Sequence, residues 1–173
     1  MGSTLFDQVM KKTLETPDSP DAWYHLADLY YRNSLYEKAI DAFAKVVELD
    51  PDRGYVYSKM GSAYNRLGRP AEAIAAFQKA VELLPKPSVE YNNIGVAYGK
   101  LGKYKEEAEA LLKALEIRPR YATARVNLGI TYLRLNDLEA AMKQYEELQQ
   151  IDKTASELLL KEINKTAPGQ TGN

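Results

Sequence analysis

The sequence predicts an all-α solenoid of helical hairpins that repeat every 34 residues, and three observations predict it. Prolines stand at 17, 51, 85 and 119, each 34 residues after the last. Tyrosines keep the same step at 30, 64, 98 and 132. Gly61, Gly95 and Gly129 keep it as well, with Ala27 in the equivalent earlier place. Series locked in one phase, at a period between about 20 and 50 residues, mark stacked structural repeats.

Each element follows from that phase. The stretch "LFDQVMKKTLETP" puts Pro17 in step, so residues 4–16 are expected to form the second helix of an incomplete copy within 1–19. Four full copies then occupy 20–53, 54–87, 88–121 and 122–155. In each, the fourth, seventh, eighth and eleventh residues lie on one stripe at about 100° per residue, as an amphipathic helix requires. A small residue at the eighth place lets a neighbouring helix approach closely. The breaks "RNSLY", "RLGRP", "KLGKY" and "RLNDL" supply Gly, Asn, Ser or Pro where the chain must turn. A second amphipathic helix follows, as in "EKAIDAFAKVVEL" or "AEAIAAFQKAVEL", and ends near Pro51, Pro85 or Pro119. Proline cannot continue a helix interior. Stacking such hairpins buries a continuous core.

Beyond the fourth copy, "ASELLLKEINK" begins where a fifth would start. Residues 156–165 are expected to cap the stack, with Leu158, Leu159 and Ile163 on the open face and Glu157, Lys161 and Glu162 in water. The segment 166–173, "TAPGQTGN", is polar and carries Gly and Pro, the composition of a disordered tail.

These residues resemble the tetratricopeptide repeat (TPR) family, whose pattern runs W-x2-L-G-x2-Y, then A-x3-F, then P. The first copy carries Trp23, Leu26, Ala27, Tyr30, Ala39, Phe43 and Pro51, and the second Tyr57, Met60, Gly61, Tyr64, Ala73, Phe77 and Pro85. The third carries Tyr91, Ile94, Gly95, Tyr98, Leu111 and Pro119, and the fourth Leu128, Gly129, Tyr132, Ala141 and Tyr145. The resemblance covers 20–155 and implies a right-handed α-solenoid that acts as a protein-binding scaffold or adaptor. Three departures stand out. Glu107 replaces the alanine of positions 39, 73 and 141, Arg125 replaces the aromatic, and Lys153 replaces a fifth proline. A buried unpaired carboxylate at 107 would be costly. Either the helix rotates so that Ala108 takes the contact, or Glu107 is a paired residue at an interface.

Catalytic chemistry has no footing in the sequence. Among 173 residues there is one histidine and no cysteine, which removes disulfides, thiolate metal sites and cysteine nucleophiles. His25 lies off the core stripe, as a solvated helix residue would. "GVAYGK" has the wrong spacing for a phosphate loop, and no strand precedes it. Carboxylate groups such as "YKEEAEA" read as solvated helix faces. Neither a cofactor nor a metal is expected, and the chain is expected not to be an enzyme. With 23 basic against 24 acidic residues the net charge is −1, which argues against a nucleic-acid partner. No apolar run approaches the ~18 residues of a membrane span, and no signal peptide opens the chain, so a cytoplasmic location is the default expectation.

In the TPR family the second, fifth, sixth, ninth, twelfth and thirteenth residues of each first helix line a concave groove that holds partner peptides. The resemblance therefore implies a groove lined by Tyr24, His25, Asp28 and Arg32, then Tyr55, Lys59, Asn65 and Arg66. The third copy adds Asn92, Asn93, Val96 and Lys100, and the fourth Val126, Asn127, Ile130, Leu133 and Arg134. Asn93 and Asn127 share the sixth place and could pair with a peptide backbone whatever its sequence, since an amide both donates and accepts. Arg32, Arg66, Lys100 and Arg134 also fall at steps of 34. They would either attract an acidic peptide or offset the helix dipole. Val89, Val96, Val126, Ile130 and Leu133 form an apolar stretch that predicts a partner's apolar anchor, unless the capping helix or a second copy covers it.

Family members that clamp chaperone tails use Lys and Asn, then Asn, then Lys and Arg, at set places in three copies. The two frames here read Tyr24, Asp28, Lys59, Val89, Asn93 and Ser58, Ser62, Asn93, Thr123, Asn127. Without the clamp cations, a chaperone C-terminal tail is not the expected partner. Self-association into a homo-oligomer, or a recruiting module cut from a larger protein, are the alternatives to a peptide-binding adaptor.

Overall fold

The computed structural model describes residues 4–166. Among them are ten α-helices and no strand: α1 Leu5–Glu15, α2 Pro20–Arg32, α3 Tyr36–Leu49, α4 Gly54–Arg66, α5 Pro70–Leu83, α6 Ser88–Lys100, α7 Tyr104–Ile117, α8 Ala122–Arg134, α9 Leu138–Gln149 and α10 Lys153–Thr166. The chain divides after residue 86 into two compact units, α1–α5 and α6–α10.

Local chemistry sets the helix ends. Thr4 and Asp7 form a reciprocal capping box, with Asp7 N donating to Thr4 Oγ1 at 3.2 Å and Thr4 N donating to Asp7 Oδ2 at 3.0 Å. Ser19 caps α2 ahead of Pro20 at its first position, and Asp137 and Asp152 cap α9 and α10 through Ala140 N and Ala155 N. Each hairpin turn places one residue at positive φ: Ser34 (60°), Gly68 (70°), Gly102 (72°) and Asn136 (60°), again at steps of 34. The amide of the following residue then donates back to a tyrosine carbonyl. Those bonds run from Leu35 to Tyr30, Arg69 to Tyr64, Lys103 to Tyr98 and Asp137 to Tyr132, at 2.9–3.0 Å. This is the left-handed closure that satisfies the carbonyls at a helix C-terminus.

In the first unit, Ala27, Ala39, Ala42, Phe43, Val46 and Val56 are buried together beneath Tyr24, Tyr30 and Met60. Burying a side chain such as Phe43 contributes roughly 2 kcal/mol. A Cβ on Gly61 would sit 2.8 Å from the Phe77 ring, so α4 and α5 meet at a distance only glycine allows. In the second unit, Ala108, Leu111, Ala114, Leu115, Ala124 and Leu128 form one cluster. Ala141, Leu148, Ala155, Leu159 and Ile163 form another.

The Trp23 indole donates to Pro17 O at 2.7 Å. Arg125, in the equivalent place, donates to Pro119 O at 2.8 Å and to Gln144 Oε1 at 3.1 Å. The cation thus reproduces the bond of the aromatic it replaces.

Two expectations for the end of the stack need correction. The terminal helix starts at Lys153, because the Asp152 side chain caps it, and it includes Thr166. The rest of the segment expected to form a tail, 167–173, lies outside the described residues. Leu159 and Ile163 are buried as expected, but Leu158 is 57% exposed and belongs to the solvent face. A Cβ on Gly129 would lie 2.5 Å from Leu159, so α10 rests directly on the α8 backbone.

Candidate functional site: the first-helix faces

In the first unit the face of α2 and α4 is polar and internally paired. Asp28 accepts from Arg32 Nε at 2.7 Å and from Lys59 Nζ at 3.2 Å. Lys59 also lies over the Tyr31 ring, 5.4 Å from its centroid. Tyr24 meets Tyr55 edge-on at 5.3 Å, and exposed His25 approaches Tyr24 at 6.1 Å. Arg53 bonds Asp50 at 2.6 Å and also pairs with Asp21. The Arg53 hydrogen bond holds the Asp21 carboxyl below its ordinary range, and the two carboxylates raise the guanidinium above its own. Arg66 is exposed and Asn65 half-buried.

In the second unit the face of α6 and α8 is built around amides. Asn127 Nδ2 donates to Asn92 Oδ1 at 3.0 Å, and Asn92 Nδ2 donates to Asn93 Oδ1 at 3.3 Å. The amides are therefore not independent groove groups. Asn92 is only 5% exposed and spends itself joining the other two, which corrects its expected place at the groove surface. This relay leaves the Asn93 NH2 donors at one end and the Asn127 carbonyl oxygen at the other.

Beside it lies a pocket of about 250 Å³ lined by Val96, Gly99, Lys100, Glu107, Asn127, Ile130 and Arg134. Glu107 is 4% exposed, so the fold holds this carboxyl away from water. Arg134 Nη1 stands 3.4 Å from Glu107 Oε2, while its guanidinium lies 5.4 Å over the Tyr104 ring and its side chain is 45% exposed. Burial pushes the Glu107 carboxyl above the ordinary range, and Arg134 and Thr131 beside it pull the other way without cancelling the shift. Room for the carboxyl comes from Gly99, because a Cβ there would fall 2.6–2.7 Å from the carboxyl atoms. Both Glu107 and Ala108 are buried, so helix rotation does not expel the acid; it is paired inside the chain.

For most of the apolar stretch the structure follows the alternative in which the capping helix covers it. Val126, Ile130 and Leu133 pack against the cluster formed by α9 and α10, so they are half-buried rather than an open patch. The terminal helix takes up the surface that the bare pattern leaves free. Val89 remains 37% exposed, and Val96 and Ile130 serve as pocket walls. Of the regular basic row, Arg32 is tied to Asp28 and Arg134 to Glu107. Sequence reasoning did not couple Gly99 to Glu107. The signal was a loss of volume where the other copies carry Tyr31, Asn65 and Leu133, facing a carboxylate gained at 107.

Among the described residues no cluster of three His, Cys, Asp or Glu side chains could hold a metal, and no helix is long and apolar enough to cross a membrane.

Stacked antiparallel hairpins whose first helices present polar side chains define a helical-repeat interaction module. Tetratricopeptide repeat profiles match residues 18–86 and 92–156, and the chain belongs to the tetratricopeptide repeat family. No curated protein sequence matches it. Its fold is similar to that of MamA, with a TM-score of 0.81 and 21% identity over 91% of this chain and 99% of that one. YrrB, described as a TPR protein with an unusual peptide-binding site, superposes with a TM-score of 0.73 and 18% identity over 95% of both chains. The first TPR of Spaghetti, bound to an HSP90 peptide, gives 0.64 and 26% identity over 68% of this chain and 93% of that one.

Proposed function

We propose that the chain is a non-catalytic scaffold that holds an extended segment of a partner protein against the α6–α8 face of its second unit. One observation carries the reading: the Asn127–Asn92–Asn93 relay lies on the face that also opens the Glu107 pocket. A peptide backbone alternates donors and acceptors, so the free ends of the relay suit it without regard to side-chain sequence. The peptide sites named for YrrB and Spaghetti support peptide capture as a use of this fold. The ligand differs from an acidic chaperone tail, since the clamp places hold Tyr24, Asp28 and Thr123 instead of cations and amides.

The test is a double substitution, Asn93→Ala with Asn127→Ala, assayed by fluorescence polarisation against a degenerate heptapeptide pool. Two hydrogen-bonding amides are lost, so affinity should fall about tenfold while far-UV helicity is unchanged. Equal affinity for parent and variant would remove the relay from the binding site.

A further inference from the structure

We infer that the Glu107 pocket is a specificity subsite for a lysine or arginine side chain of the bound segment, a reading that rests on the peptide-scaffold function above. Val96 and Ile130 offer apolar walls for an aliphatic stem, and Asn127 lies at the wall. Glu107 lines the same pocket with a carboxylate that is 4% exposed. Long cationic side chains have this construction, an apolar stem with a charged head. A volume of about 250 Å³ is ample for one such side chain.

The third copy departs from its siblings in two coupled ways. It gains a carboxylate where Ala39, Ala73 and Ala141 stand, and it loses a side chain at Gly99, which makes the room. An alanine at 107 would have filled the helix contact without burying a charge, so the pair works against stability. The compensation inside the chain, from Thr131 and Arg134, does not cancel the cost of burial. Arg134 reaches one oxygen at 3.4 Å, longer than a good charge-assisted bond, and its guanidinium is 45% exposed and stacked on Tyr104. A ligand cation entering along Val96 and Ile130 would meet the carboxylate more fully and let Arg134 swing into solvent.

Lys100 and Arg134 at the rim would favour an anion instead. Both rim groups are exposed, whereas the carboxylate is shielded from water, where charge interactions are least screened. An acid driven into the cleft would face Glu107 at close range. The interior charge decides the sign of the ligand.

Heptapeptide pools with degenerate flanks and a fixed central residue test this, the centre being lysine, arginine, norleucine or glutamate. Lysine and arginine pools should bind about tenfold more tightly than norleucine, the scale of one hydrogen bond between charged groups. Glu107→Gln should erase that preference and leave norleucine binding in place. Arg134→Gln should tighten the cationic pools severalfold, because a competitor for the carboxylate is gone. It serves as the second variant if Glu107→Gln folds poorly, with far-UV dichroism checking that it remains folded once the buried carboxylate has lost its partner. Preference for the glutamate pool, a cation preference that survives Glu107→Gln, or weaker cation binding in Arg134→Gln would overturn the inference. Peptides bound with no preference at the centre would overturn it alone, whereas failure of every pool to bind folded protein would remove the scaffold reading with it.

Discussion

At position 107 a carboxylate occupies a site that alanine fills elsewhere in the chain, and its titration should be visible in stability. Burial raises the Glu107 carboxyl above its unfolded value. Between the two values the folded state holds more protons than the unfolded one, so this group's contribution falls as pH rises through that window. Glutamine removes the ionisation while keeping the shape. Glu107→Gln should therefore melt above the parent at neutral pH, with the gap closing as pH falls to about 4. A gap that widens on acidification would show that Arg134 dominates the site. Comparing the two proteins cancels groups of the opposite sign, such as Asp21, whose carboxyl is lowered by Arg53.

Gly99 offers a second residue-scale test. Gly99→Ala should destabilise the parent by about 1–3 kcal/mol, because the new Cβ overlaps the Glu107 carboxyl. In a Glu107→Ala background the same change should stabilise, since alanine is the better helix former by about 1 kcal/mol. A denaturant-unfolding cycle reads that sign reversal directly. Additive effects would mean the two positions are not one device.

At the scale of the element, the helices and turns were largely legible because every hairpin solves the same problem 34 residues later. A carbonyl left open at each helix end needs a left-handed residue after it, and Ser34, Gly68, Gly102 and Asn136 supply it. Ser34 is the least suited of the four, having a side chain and little amide-like tolerance for positive φ. Ser34→Gly should raise stability by about 1 kcal/mol in denaturant unfolding, and more than Asn136→Gly does.

The site was less legible than the fold, for a physical reason. Periodicity says which way a residue points from its own helix, but not what a neighbouring helix does there. Asn92 points to the surface by its own helix's periodicity, yet it is buried because Asn127 on α8 reaches across to it. For Val126 and Leu133 the pattern leaves open whether a partner or the capping helix covers them, and only the α9–α10 packing decides it. The coupling of Gly99 to Glu107 joins two helices through one atom's worth of space, and no pattern along a single helix contains it.

For the molecule as a whole, each hairpin is supported chiefly by its neighbours, so protection should grade along the chain. Among its described residues α1 buries Thr13 alone, while Leu5 and Leu14 are 66% and 74% exposed. By contrast α3 buries Ala39, Ile40, Ala42, Phe43 and Val46. Native-state hydrogen exchange should therefore find α1 opening first, with α3 and α7 among the slowest elements. Protection of α1 equal to that of α3 would contradict the grading.

The hydrogen bond from Trp23 to Pro17 has a practical corollary. The sequence contains a single indole, and it sits in the first unit at the junction of α1 and α2. Its emission is a built-in optical gauge for one half of the chain, while dichroism at peptide wavelengths averages both halves. Recording the two signals during one thermal ramp would reveal, from the offset between their midpoints, whether the halves melt in concert or in succession.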